Sequence, residues 1–399
     1  MSVHLDLVQT LALAAAVFIA GVQLKKLLPA LERLSIPAAV VGGVGFAVVN
    51  LFLHDGVVNL SLDTSAQPLF MVAFFTSIGI SASVDVLKRG GMPMIGLLVI
   101  STFFGLVQNL VGVVTALTMG VHPLLGVMAG SLTLLGGPAT GMAFSELFRN
   151  AGIESAEVVA ITAATVGILF GGLLGGPVGA RLVARHRLVP AGGVSREESI
   201  PFARRTISID MNQEGGNFST TLLLLGAVMG VGSVIGFGLG EIGWTLPAYI
   251  GAMVVGSVVR NLLDARGTTL LNVSLVQFLG GVCLNIFLVV ALMNLQLWEL
   301  VHLALPLGVI LFVQISWVVV VVVIFGLRLF GRDYDGAVVA GGFVGFVLGT
   351  TANAVANMQT LADRFGFAPR AFLIVPVVGG FFIDFTNALM INIFLNWFG

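Results

Sequence analysis

Runs of roughly 20 apolar residues, each long enough to cross a hydrocarbon layer as a helix, recur along the 399-residue chain. A chain built from such runs has few options. A membrane barrel would need shorter segments of alternating polarity, about ten residues each, and those are missing. A water-soluble fold would need polar surface. Hydrophobic residues are 57% of the chain and charged residues 9%, against about 25% charged in soluble domains. The sequence therefore predicts an all-α polytopic membrane protein. The net charge of −1 offers no basic footprint, so no nucleic-acid partner is expected. The lone Cys283 excludes a disulfide framework and a cysteine metal site. Lys25 and Lys26 follow the first apolar run, and no basic residue precedes it. The run thus reads as a retained span, not a cleavable signal.

Ten candidate spans fall near 7–28, 37–53, 68–87, 94–119, 156–179, 218–239, 246–263, 270–293, 303–327 and 371–395. Two further apolar stretches, 123–148 and 336–359, are broken by Gly, Pro, Thr and Asn. Irregular backbone survives at membrane depth only inside protein or beside a wet cavity, so both stretches read as re-entrant hairpins. With ten spans and both termini outside, seventeen of the eighteen Lys and Arg lie on the cytoplasmic side, leaving Arg149 outside. Counting both broken stretches as full crossings gives twelve spans. That layout fits the charges less well.

The chain also resembles itself. Ser35-Ile36-Pro37-Ala38 recurs as Thr245-Leu246-Pro247-Ala248, about 210 positions on, and Gly136-Gly137 precedes Gly349 by about 212. Val166 to Phe170 matches Gly379 to Ile383 at a similar offset. Residues 1–184 and 217–399 are therefore expected to be two five-span repeats, joined by a cytoplasmic linker at 185–216. An odd number of spans puts the copies in opposite orientations. Inverted repeats with discontinuous helices near the midplane describe secondary transporters.

The first break runs Gly136-Gly137-Pro138-Ala139-Thr140 and leads on to Ser145 and Glu146; the second runs Gly349-Thr350-Thr351-Ala352-Asn353. In each, a glycine turn precedes small hydroxyl and amide residues that start a second half-helix. Such a tip presents free N–H groups and the positive end of a helix dipole to an anion. Unwound carbonyls and Thr or Asn oxygens are hard ligands fit for Na⁺. Gly136, Gly137, Thr140, Ser145, Gly349, Thr350, Thr351 and Asn353 are the expected substrate-binding residues. The same small residues also serve tight helix packing. The Gly126/Gly130, Gly167/Gly171 and Gly345/Gly349 spacings read that way.

Asp384 stands well inside the last span, where a carboxylate costs about 3 kcal/mol and marks an ion or proton site, or else bonds to a neighbouring helix. Asn387 follows three residues later on the same face. With Asn357, these are the expected Na⁺ ligands. Gly238 to Gly243 matches GxGxxG but ends a span with no strand before it, so no dinucleotide site is read there. No pair among His4, His54, His122, His186 and His302 has metal-ligand spacing. Trp244, Trp298 and Trp397 fall at the outer boundary, as an aromatic belt would.

The segments Leu292 to Leu300, Ala356 to Gln359 with Arg364-Phe365-Gly366, and Val375-Pro376 through Asp384 to Leu389 resemble the bacterial sodium/glutamate symporters. That resemblance implies a homodimeric inner-membrane carrier with a scaffold part and a transport part. The transport part would carry both hairpin tips across the membrane in an elevator-like way, taking up L-glutamate with Na⁺ and needing no organic cofactor. The chain departs from the family at both tips. Pro138-Ala139 stands where the family usually reads His-Gly, and Thr350-Thr351-Ala352-Asn353 stands where the family often carries a Thr-Pro-Thr-like turn. The expected function is Na⁺-coupled symport of L-glutamate or, failing that, of a dicarboxylate or 2-oxoacid. An enzyme or a passive channel is the distant alternative, and the spans carry no His-Glu-x-x-His or buried Ser/His pair.

Overall fold

A computed structural model describes residues 2–53, 59–190, 218–241, 248–268, 270–300 and 303–399. The linker from 191 onward, Trp244, His54, His302 and the Thr245-Leu246-Pro247 motif lie outside the described residues. The helices are α1 (Leu7–Leu27), α2 (Pro29–Arg33), α3 (Ala38–Leu53), α4 (Gln67–Ser81), α5 (Val84–Thr118), α6 (Pro123–Val127), α7 (Gly137–Asn150) and α8 (Ala156–His186). There follow α9 (Phe218–Glu241), α10 (Ala248–Ala265), α11 (Val273–Met293), α12 (Ala304–Phe330), α13 (Tyr334–Leu348), α14 (Thr351–Phe365), α15 (Pro369–Val377) and α16 (Ile383–Phe398). Two short strands, β1 (Ser2–Leu5) and β2 (Asn59–Leu62), pair in parallel with Val3 opposite Leu60, a feature the apolar periodicity does not foretell.

Helix stands in each of the ten sequence windows. By length and composition, six helices among the described residues can cross a membrane: α1, α5 from Gly90, α8, α9 to Gly238, α11 and α12. A seventh results if α15 and α16, which meet at 44° over a π-helical turn at Val378–Phe382, form one span. α3 and α4 are apolar but shorter. The window 68–87 does not form one helix. α4 stops at Ser81, and α5 starts at Val84 and breaks at Gly91 (φ +65°, ψ −163°), a conformation open essentially to glycine.

The described chain forms two compact units, each drawing on both halves of the sequence. The first comprises Met1–Pro29, Pro37–Arg89 and Ile207–Trp298. Here α1 and α3 approach so closely that a Cβ on Gly21 would meet the Ala38 carbonyl and one on Gly42 the Val17 carbonyl. α9 and α10 meet the same way, Gly232 against Ala252 and Gly251 against the Gly232 carbonyl. Gly43 of α3 abuts Leu292 of α11, and Gly79 of α4 abuts Met253 of α10. Beyond α4, Ser83 Oγ donates to Asp264 at 2.8 Å, and the Asn261 amide accepts from the Val84 N–H at 2.7 Å.

The second unit comprises Ala30–Ile36, Gly90–Thr206 and Glu299–Gly399. Its centre is α8, whose glycines face the α13–α14 hairpin. Gly167 lies against the Leu348 carbonyl, Gly171 against Gly345 and Gly349, and Gly179 against Leu361. The GxxxG spacings of α8 and α13 thus interlock as packing surfaces. Phe104, Trp317, Phe330 and Phe343 form an aromatic cluster with neighbouring centroids 4.7–4.9 Å apart. At the start of α13, Asp333 caps the helix by accepting the Gly336 N–H at 2.8 Å and takes a two-pronged bond from Arg370. Burial tends to raise its pKa, but the guanidinium and the N–H outweigh that and hold the carboxyl below its ordinary 3.8.

Candidate functional site

Both interrupted stretches fold as helix, break, helix. In the second, α13 ends at Leu348 and α14 begins at Thr351, with Gly349 and Thr350 between. Thr350 is the N-cap of α14, its Oγ1 accepting the Asn353 N–H at 3.3 Å. In the first, α7 begins at Gly137 with Pro138 in its first turn. Gly137 has φ +69°, which glycine alone adopts without cost.

The two breaks meet. A Cβ built on Gly137 would stand 3.8 Å from both the Gly349 carbonyl oxygen and the Thr350 methyl. The amino ends of α7 and α14 therefore come together in one place, one from each half of the chain. Two positive helix ends concentrate there, a setting that favours an anion without a basic side chain.

The remaining predicted residues do not all share that place. Gly136, Thr140 and Asn387 cluster at the first tip: a Cβ on Gly136 would lie 2.7 Å from Thr140 Cβ and 2.9 Å from Asn387 Nδ2. Asn387 also donates to the Ser131 carbonyl at 3.0 Å. Asn353 and Asn357 run along α8, their Nδ2 groups donating to the carbonyls of Ile168 at 2.6 Å and Gly171 at 2.9 Å. Thr351 sits at the bend of the last helix pair, its Oγ1 2.9 Å from a Cβ placed on Gly379. Ser145 stands apart from the tip, spending its hydroxyl on the Met142 carbonyl of its own helix at 2.7 Å. Asp384 lies in the first turn of α16, one turn before Asn387. Asn357 is thus turned toward α8, whereas Asn387 is turned toward the first tip.

The sequence reading missed a set of buried polar groups around the first break. The chain leaves helical geometry at Gly130 (φ −105°, ψ −134°) inside a π-helical turn, Met128–Leu132. Asn109 Oδ1 accepts the Ser131 N–H at 2.9 Å, Gln108 Nε2 donates to the Val347 carbonyl at 3.0 Å, and Gln314 Nε2 donates to the Gln108 carbonyl at 2.6 Å. All four side chains are fully buried. The signal was available: amides in the middle of apolar spans at 108, 109 and 314.

No group of three or more His, Cys, Asp or Glu side chains fit to hold a metal occurs among the described residues. The oxygens on hand are amide, hydroxyl and carbonyl oxygens, with the Asp384 carboxylate one turn before Asn387.

A sequence profile of the family described as Sodium/glutamate symporter matches residues 3–367. The sodium/glutamate symporter of Escherichia coli (strain K12) is 36% identical over 394 residues, 98% of this chain and 98% of that protein. That of Haemophilus influenzae is 35% identical over 396 residues with the same coverage.

Proposed function

The chain belongs to the sodium/glutamate symporter family, and from that premise we propose that it carries L-glutamate inward with Na⁺ across the bacterial inner membrane. The observation that carries this reading is the meeting of Gly137 with Gly349 and Thr350. Two helix amino ends there give the substrate carboxylates N–H donors and dipole charge. Gly136, Gly137, Thr140, Gly349, Thr350, Thr351 and Asn353 line or shape the place, with Ser145 further along α7. Bound Na⁺, drawn to the oxygens of Asn357, Asp384 and Asn387, adds the positive charge that the tips lack. If Na⁺ orders the tips, it raises glutamate affinity and glutamate raises Na⁺ affinity by the same factor.

We take the architecture to be two inverted five-span repeats, 1–184 and 217–399, with the linker 185–216 and both termini placed as the charges require. Packing in the first unit supports the duplication. Exchanging Gly21 for Gly232, Gly42 for Gly251 and Gly43 for Met253 shifts each by about 210 positions and turns one set of helix contacts into the other. In an elevator-like cycle the second unit, which holds both tips, is the transport part, and the first is the scaffold of a homodimer.

The reading is tested by labelled L-glutamate uptake into proteoliposomes under an inward Na⁺ gradient, with a K⁺ gradient as control. Accumulation with Na⁺ alone is expected, and equal uptake in both would refute it. Pro138, Ala139 and Asn353 leave room for a second cargo. Stronger competition by a dicarboxylate or 2-oxoacid than by unlabelled glutamate would reassign the substrate within the same fold.

A further inference from the structure

Four buried side-chain oxygens around the break at Gly130 have no hydrogen-bond partner among the described residues: Ser131 Oγ, Asn387 Oδ1, Gln108 Oε1 and Gln314 Oε1. All four side chains are fully shielded from solvent. An orphaned buried acceptor is costly and rare in folded proteins, and four around one helix break require an explanation. The bonds their other atoms make tie the four residues into two pairs, both beside Gly130. Asn387 Nδ2 donates to the Ser131 carbonyl, and Gln314 Nε2 to the Gln108 carbonyl. A Cβ on Gly130 would stand 3.4 Å from both the Gln108 carbonyl oxygen and Gln314 Nε2. The Ser131 carbonyl already accepts from Leu135, Gly136 and Asn387, so it is saturated. The backbone of the break is thus fixed while its side-chain oxygens stay unspent.

We infer that the π-helical break at Met128–Leu132 is a Na⁺ site, with Ser131 Oγ and Asn387 Oδ1 as ligands and the Gln108 and Gln314 amide oxygens completing its shell. The inference rests on the Na⁺-coupled reading above; it keeps Asn387 from the ligands named there and replaces Asn357 and Asp384 with the oxygens around the break. The ligand chemistry selects the ion. All four are hard, neutral oxygens with no thiolate, imidazole or carboxylate among them, a set suited to a monovalent hard cation and poor for transition metals. Asn109 is a positioning residue: its Oδ1 holds the Ser131 N–H, and its Nδ2, also unpartnered, is a donor and no ligand. The site also touches the substrate tip. Asn387 lies against Gly136, the residue before the amino end of α7. A cation that fixes Asn387 therefore fixes the tip that receives the anion.

Ser131→Ala removes one orphan hydroxyl and breaks no bond made by that atom, and Ser131→Cys keeps the volume while replacing a hard oxygen with soft sulfur. Two readings are taken on the full-length protein: the Na⁺ concentration for half-maximal L-glutamate uptake, and the Na⁺-induced rise in thermal midpoint without glutamate, with K⁺ as control. Both variants should raise the Na⁺ requirement by roughly tenfold or more, the scale on which groups supporting a metal ion act. Their midpoints in K⁺ should not fall. An unchanged Na⁺ requirement and unchanged Na⁺ stabilisation in both variants would overturn the inference. So would loss of the folded protein in both, because it would give the hydroxyl a structural role that needs no ion. The thermal reading needs no glutamate, so a wild-type protein stabilised by Na⁺ that takes up no glutamate would sink the substrate assignment alone.

Discussion

Gly137 and Gly349 face one another at the meeting of the two broken helices: a Cβ on the first would stand 3.8 Å from the carbonyl oxygen of the second. They lie about 212 positions apart and belong to the two halves of the chain. Space is not what demands glycine at 137, since 3.8 Å is an ordinary contact. The backbone demands it, with φ at +69°.

Gly137→Ala should therefore cost about 1–2 kcal/mol, the penalty of an L side chain in a left-handed conformation. In the proposed function this tip receives the substrate, so uptake should drop roughly tenfold if the penalty reappears in the transport barrier. The thermal midpoint of the purified variant and its initial rate of uptake check both. A full rate with an unchanged midpoint would show that the tip tolerates another conformation.

Adjacent glycines on α8 should behave oppositely. A Cβ on Gly175 would lie 2.5 Å from the Gly341 carbonyl and collide with the Asn357 amide, whereas one on Gly176 finds its nearest neighbour 3.8 Å away. Gly175→Ala should destabilise by about 1–3 kcal/mol through overpacking. Gly176→Ala should be neutral or gain up to about 1 kcal/mol of helix propensity. Denaturation of the two variants side by side decides it.

Helix was legible in the ten windows, and six of them hold a helix long and apolar enough to cross a membrane, because a bilayer imposes length and polarity directly on sequence. So were the breaks at Gly136-Gly137 and Gly349-Thr350, where glycine and proline interrupt apolar runs that have nothing else to interrupt them. The break at Gly130 was not. Its spacing from Gly126 looks like packing, and part of it is: Gly126 does abut Gly112. Whether a glycine packs or unwinds depends on the partners across the gap, here Asn109 and Gln314, which come from distant spans. The backbone bond of Ser145 was not legible either: a helical serine can spend its proton on its own backbone, and Ser145 does. Asn353 and Asn357 stood out in the sequence as amides among apolar residues, while their bonds to α8 needed the fold.

Those bonds carry a prediction. Asn353→Leu and Asn357→Leu each leave an α8 carbonyl without its second donor and should each cost about 1 kcal/mol. Asn→Asp at either position should cost more, because a carboxylate oxygen would face the Ile168 or Gly171 carbonyl. Thermal midpoints of the four variants give the order. Aspartate variants as stable as the wild type would contradict the assigned amide orientation.

Acid should weaken the cap of α13. The Asp333 carboxyl sits below its ordinary value of 3.8 in the folded chain, so the unfolded state binds the proton more readily. Its contribution is present above pH 3.8 and is lost as pH falls through the lower folded value. The pair with Arg370 is substantially exposed and so contributes modestly. Asp333→Asn should lower the thermal midpoint at neutral pH, and the gap to wild type should narrow as the solution is acidified below pH 3.8. A gap that stays constant would assign the effect to something other than this carboxylate.

The central claim is that the two helix tips load cation and anion together. It is tested most directly by equilibrium binding of L-glutamate to the purified protein at a series of Na⁺ concentrations, with K⁺ holding ionic strength constant. The account predicts a dissociation constant that falls as Na⁺ rises, and a Na⁺ affinity that rises by the same factor when glutamate is added. Glutamate binding with one affinity at every Na⁺ concentration would contradict it.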